Sequence, residues 1–162
     1  MKRSLASAGG AVLVFVLVSI AWPQSFGRSA DIRRPFDRVR ASMLNYFSPA
    51  GMHDFQIVSQ SSTKSRAEIV ARRTVRDKLE WPELAYCKLP GMQMMYTLQQ
   101  GNVTVRVKMD RESANRTYVS VIPQFEGVYQ FAGNQTTLKC TSQGALEKDI
   151  LSAAGASAAD LN

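Results

Sequence analysis

From Val103 to Met109 the chain alternates without a break: Val103, Val105, Val107 and Met109 are apolar, and Thr104, Arg106 and Lys108 between them are polar. Successive side chains of a strand point to opposite faces, so this pattern dictates an antiparallel strand with one buried and one wet face. Such a sheet cannot stand alone. Its apolar face needs a covering layer, and the remaining segments have to supply both the partner strands and that cover.

Most of them read as strands. Phe55, Ile57 and Ser59 alternate with Gln56 and Val58, Ser61 to Lys64 forms a polar turn, and Ala67 to Arg72 returns as a hairpin partner. Met92 to Gln99 reads as a strand that turns through Gln100-Gly101-Asn102 into Val103. Glu112 to Asn115 makes another turn, Thr117 to Ile122 a strand ended by Pro123, and residues 127–131 and 136–140 a last hairpin around Gly133-Asn134. Val75 to Gly91 is irregular, broken at Trp81-Pro82 and at Leu89-Pro90-Gly91.

Two segments carry a helical period instead. Ile32, Phe36, Val39, Met43 and Tyr46 recur at intervals of four and three, with Asp31 as a cap, Pro35 in the first turn and Ser48-Pro49-Ala50-Gly51 as the stop. Ser142 and Gly144 open the second, in which Leu146, Ile150 and Leu151 share a face and Glu147 lies in the first turn, where a carboxylate is favoured. The chain, 162 residues long, is thus expected to hold one α+β domain over residues 31–152. Its antiparallel sheet has about five or six strands, with an N-terminal and a C-terminal helix packed on one face. A flexible arm at 22–30 precedes it, and the Ala, Ser and Gly-rich stretch 153–162 reads as a disordered tail.

The first 22 residues set the compartment. Met1-Lys2-Arg3 precedes an uncharged stretch whose densest part runs from Ala11 to Trp22. A positive start, a short apolar centre and small residues at Ser19 and Ala21 match a secretory signal cleaved after Ala21, giving 1–21 as a signal peptide; Ser25 to Gly27 is a second cleavage option. The alternative is an uncleaved anchor ending near Trp22, since Leu5 to Trp22 reaches the lower limit for a membrane span, and Arg28, Arg33 and Arg34 just beyond oppose translocation. No cysteine lies near residues 15–30, so no lipid-anchored start is expected. Either way the bulk of the chain is expected outside the cytoplasm, periplasmic or secreted, or else tethered to the inner membrane with a periplasmic domain. Membrane contact is implied only if the segment stays uncleaved.

Export gives Cys87 and Cys140 a meaning: two cysteines in an oxidising compartment form one disulfide. The competing reading is a catalytic thiol assisted by His53, the only histidine. Other chemistry finds little footing. One histidine and two separated cysteines make no zinc set, and no hydrolase elbow, Walker loop or dinucleotide fingerprint occurs. Glu80 with Glu83, or Asp110 with Glu112, could be acid and nucleophile of a glycosidase, but both pairs fall in polar turn segments. The expectation is a chain with no catalytic residues, no metal and no cofactor.

The formal charge of +7 is unevenly placed. Removing residues 1–21 takes Lys2 and Arg3 and leaves 18 basic against 13 acidic side chains. The surplus sits in two segments, giving Arg33, Arg34, Arg38, Arg40, Arg72, Arg73 and Arg76 as candidate anion-binding residues for membrane headgroups, glycans or nucleic acid; the alternative is a solvated surface. The one aromatic residue among them, Phe36, belongs to the apolar stripe of the helix, so they carry no row of aromatic side chains as a base-stacking platform would need. Met92, Met94 and Met95 are either core filling or a soft protein-binding surface. Asn102, Asn115 and Asn134 begin glycosylation triplets that matter only in a host secreting through an endoplasmic reticulum.

The junction Cys140-Thr141-Ser142-Gln143-Gly144-Ala145-Leu146-Glu147, followed by Ile150-Leu151, resembles a C-x-S-x-G-x-L-E ending of small bacterial envelope proteins of unknown function. Some of those look like the helix-and-sheet modules of outer-membrane assembly lipoproteins. The resemblance covers about a dozen residues and implies a bacterial periplasmic protein with a structural disulfide and no known catalysis; another envelope protein is the expected partner. The absent lipidated cysteine departs from the lipoprotein members. The combined expectation is a non-enzymatic, exported cell-envelope protein that acts as a protein-interaction domain, with an anionic-surface binder as the alternative.

Overall fold

The alternation around Val105 extends well beyond its clearest stretch. In the computed structural model, which describes residues 27–51, 53–91 and 95–161, Thr97–Ser113 is one unbroken strand paired antiparallel with Arg116–Phe131 through the turn at Ala114-Asn115. Met109 faces Val119, Val107 faces Val121 and Val103 faces Phe125, so the buried face of one strand meets the buried face of the next. In chain order the elements are β1 (Arg28–Ile32), α1 (Phe36–Tyr46), β2 (Gln56–Ser62), β3 (Arg66–Val75), α2 (Trp81–Leu84), β4 (Ala85–Tyr86), β5 (Thr97–Ser113), β6 (Arg116–Phe131), β7 (Asn134–Ser142) and α3 (Ala145–Ala154). The sheet order is β2-β3-β5-β6-β7-β4, and β1 lies beside β6 ahead of β7. Among the described residues all pairings are antiparallel and the sheet has seven strands, so the α+β class holds, with one strand more than the upper end of the expected number.

The core lies on one side of this sheet. Ala67, Ile69 and Ala71 of β3, Val103 to Met109 of β5 and Val119, Val121 and Phe125 of β6 supply its buried side chains from the strands, and Phe36, Val39 and Met43 of α1 and Leu146, Ile150 and Leu151 of α3 supply those from the helices. α1 contacts β5 and β6, α3 contacts β6 and β1, and the two helices touch each other.

Several local expectations change for identifiable reasons. Ile32 ends β1 opposite Thr117, and the helix begins only after Pro35, whose ψ of 141° is extended; the residue before a proline is itself disfavoured as helix. β1 also takes over residues 28–30 of the expected arm. Gly101 is no turn. It sits inside β5 opposite Val75 and Gly127, and a Cβ there would overlap the six-membered ring of Trp81. Pro123 does not end β6. It faces Val105 on one side, and on the other it falls in the gap between the last β1 pair, Arg28 with Val121, and the first β7 pair, Phe125 with Cys140. A missing N–H is tolerated there because no neighbouring strand occupies that position.

At the C-terminal end, α3 starts from Gly144 at φ 84° and stops at Gly155 at φ 104°, both in the left-handed region that glycine adopts readily. Ser142 Oγ accepts from the Gly144 N–H (2.9 Å) and donates to Glu147 Oε2 (2.8 Å), which accommodates a glutamate only 1% exposed. The expected disordered tail is partly ordered: 158–161 forms a 3₁₀ turn, Arg28 Nη1 donates to the Leu161 carbonyl (2.9 Å), and Ser157 donates twice to Asp160, holding that carboxyl below its ordinary range. The segment 1–21 lies outside the described residues, as do Met92 and Met94; among the described residues no helix is long and apolar enough to cross a membrane.

Candidate functional site

Both cysteines are committed to structure. Pairing of Ala85 with Ser142 and Tyr86 with Thr141 brings the end of β4 alongside β7, and Cys87 bonds to Cys140. The bond packs over Gly127, where an added Cβ would lie 3.3 Å from Cys87 Sγ. A thiol nucleophile working with His53 is therefore ruled out by the bond itself. Three of the four paired carboxylates are likewise engaged, Glu80 with Arg73, Asp110 with Arg66 and Glu112 with Arg116, while Glu83 is exposed.

His53 belongs to an aromatic cluster where α1 meets the start of β2. Its ring stacks on Tyr46 at 4.0 Å, while Phe47 and Phe55 meet edge to face at 5.3 Å. Tyr46 Oη donates to Asp149 Oδ2 of α3 at 2.6 Å. Burial first, then this bond and the charge of Asp149, raise the tyrosine well above its ordinary range, so it stays a proton donor and ties α1 to α3. The linkage sign follows. Above about pH 10 the unfolded chain loses this proton and the folded chain keeps it, so the tyrosine's contribution is whole below about pH 10 and is lost as pH rises further. Denaturant titrations from about pH 8 to 11 should show wild-type stability falling faster above pH 10 than that of Tyr46→Phe, by up to about 1.4 kcal/mol per unit; equal slopes would contradict this.

The arginine candidates do not gather into one site. Arg73 is half-buried, pairs with Glu80, donates to the His53 carbonyl (3.3 Å) and lies over the Phe55 ring, 5.6 Å from its centre; it is a structural cation. Arg34 lies against Gly155, where a Cβ would be 2.6 Å from Arg34 Nε. Arg33, Arg38, Arg72 and Arg76 are exposed. Met95 is exposed, at 56%, which excludes core filling for that residue.

Arg40 has a different setting. α1 runs antiparallel to β2: near its first turn Asp37 binds Arg111 (3.3 Å), whose N–H reaches Ser65 at the hairpin turn, and its last turn meets Phe55 ahead of β2. Between helix and hairpin lies a cleft of about 200 Å³ lined by Arg40, Leu44, Gln60, Ser61, Ser62, Ala67 and Ile69. One wall is the sheet's terminal strand. Every residue of β2 is exposed, and residues 55–63 carry no charge. Edge strands usually defend their open backbone groups with charge, proline or bulges; here the one defence is the irregularity between Ile57 and Ser59, which leaves Ser59–Ser62 regular. Arg40 was legible as a candidate in the sequence, but its partner surface was missed. The signal was available as an uncharged run flanked by Asp54 and Lys64.

Comparison with models of known protein families, with curated proteins and with solved structures finds no match.

Proposed function

We propose that this chain is an exported, non-enzymatic cell-envelope protein that works through contacts with another protein. The observation that carries the reading is the terminal strand β2, exposed along its whole length and uncharged, beside a cleft. An added strand gains main-chain hydrogen bonds there, and alternate side chains find a pocket, which is how sheet edges recognise extended segments. The disulfide supports the extracytoplasmic part of the proposal, since such bonds persist in oxidising compartments. Resemblance of the C-terminal motif to small bacterial envelope proteins supports a periplasmic location. Of its residues, Ser142, Gly144 and Glu147 hold the end of β7 to the start of α3 and Cys140 ties β7 to the segment after β4, structural roles that suit a module without catalysis.

The test is crosslinking in the native host with a photoreactive residue at Ser59, followed by mass spectrometry. A defined envelope partner is the expected product. A monodisperse monomer with no adduct from this or any other surface position would overturn the reading.

Exposure of Arg33 and Arg38, on either side of the start of α1, favours a second reading, an anionic-surface binder. That reading requires vesicle or glycan binding that weakens steeply with salt; absence of binding at low ionic strength removes it.

A further inference from the structure

The protein-contact reading leaves the partner's chemistry open, and the cleft beside β2 narrows it. On the buried side of the sheet β2 presents Gln60 and Ser62, opposite Ile69 and Ala67 of β3. A strand added to the free edge of β2 would place every second side chain on that same side, at the mouth of the cleft. There it meets Leu44 and Ile69 as apolar wall and Arg40 as the charged one. Because α1 is antiparallel to β2, Arg40 lies toward the Ser62 end and Leu44 one turn nearer the Ser59 end. Among the described residues Arg40 has no ion-pair partner, and neither does Lys64 in the adjoining turn. Glu68, the nearest acid in the ladder, faces the other side of the sheet and pairs with Arg106 at 3.7 Å.

We infer that Ser59–Ser62 accepts an extended acidic segment of a partner protein as an eighth strand, with an apolar side chain toward Leu44 and, two residues away, a carboxylate toward Arg40. The inference rests on the protein-contact reading and adds the partner's conformation and charge. A second copy of the chain fits less well: with Ser59–Ser62 of one copy paired antiparallel to Ser59–Ser62 of the other, only uncharged residues of the run 55–63 come alongside the cleft, and Arg40 gains no counter-ion.

The experiment measures fluorescence anisotropy of labelled octapeptides against the full chain purified after export. One peptide carries Val-Thr-Glu at its centre, and a second has Lys in place of Glu. Two further versions of the acidic peptide are N-methylated at odd or at even positions. The acidic peptide should bind roughly tenfold or more tightly than the lysine one, and Arg40→Glu should reverse the order. Only one N-methylated version should lose binding, because only alternate N–H groups of an added strand point at its neighbour. Equal binding of the Glu and Lys peptides, or retention by both methylated versions, would overturn the inference. So would concentration-dependent dimerisation that competes with the peptide. If peptides fail while crosslinking in the host still captures a partner through another surface, the acidic-strand inference falls and the protein-contact reading stands.

Discussion

Replacing Cys87 and Cys140 together by alanine should lower the stability of the domain by about 4 kcal/mol, and its melting temperature by roughly 10–20 °C. The bond spans 53 positions, and that closed loop contains the whole of β5 and β6 and most of β7. Freeing it restores loop entropy to the unfolded chain, which is the larger part of the expected effect. The folded state loses as well. β4 is held to β7 by only two residue pairs, so without the bond the segment around α2 and β4 should be the first to open. Thermal melts with and without reductant measure the total. Hydrogen exchange should then show residues 81–91 exchanging much faster than β5 and β6. A loss below about 1 kcal/mol would mean that packing over Gly127 alone holds β4 in place.

The second large effect is expected at Gly101. Substitution by valine forces a branched side chain into space filled by the Trp81 ring, which is itself 2% exposed and meets Phe125 edge to face at 6.0 Å. Backbone on one side and a packed indole on the other leave no room to yield, so the loss should exceed ordinary overpacking and reach about 3–5 kcal/mol, similar to removing the tryptophan. Trp81→Ala should be strongly destabilising alone, but combined with Gly101→Val it vacates the space that the new valine needs, making the pair less damaging than the sum of its members. In a Trp22→Phe background the emission of Trp81 would shift to the red in Gly101→Val as the ring is displaced toward water. Additive losses with unchanged emission would show that the two residues do not compete for one space.

These two sites also mark where local sequence stops being informative. Alternation from Val103 to Met109, the turns near Ala114-Asn115 and Gly133-Asn134, and the stripe Phe36, Val39, Met43, Tyr46 are properties of neighbouring residues, and each is found where its period places it. Gly101 and Pro123 read as breaks because their usual preferences are local. What keeps both inside long strands is distant: a tryptophan 20 positions earlier in the chain, and a gap between two strands from opposite ends of the sequence. Ile32 fits the helical spacing of α1 by coincidence and is buried from a strand instead. The candidate site divides in the same way. Arg40 could be nominated from composition, but a cleft exists only once α1 is laid along the β2–β3 hairpin, a relation fixed by Asp37 with Arg111 and by the rings of Tyr46, Phe47 and Phe55.

Pairing of β1 with β6 has a consequence for when the chain can fold. Residues 28–32 find their ladder partners at 117–121, nearly ninety positions later, and Arg28 closes on the Leu161 carbonyl. The first of the described strands must therefore wait for almost the last of them, and loop closure over that distance precedes any reward in contacts. During that wait the β5–β6 hairpin, closed by a two-residue turn, can zip by itself. Closing so long a loop slows the docking of β1 relative to the formation of the central hairpin.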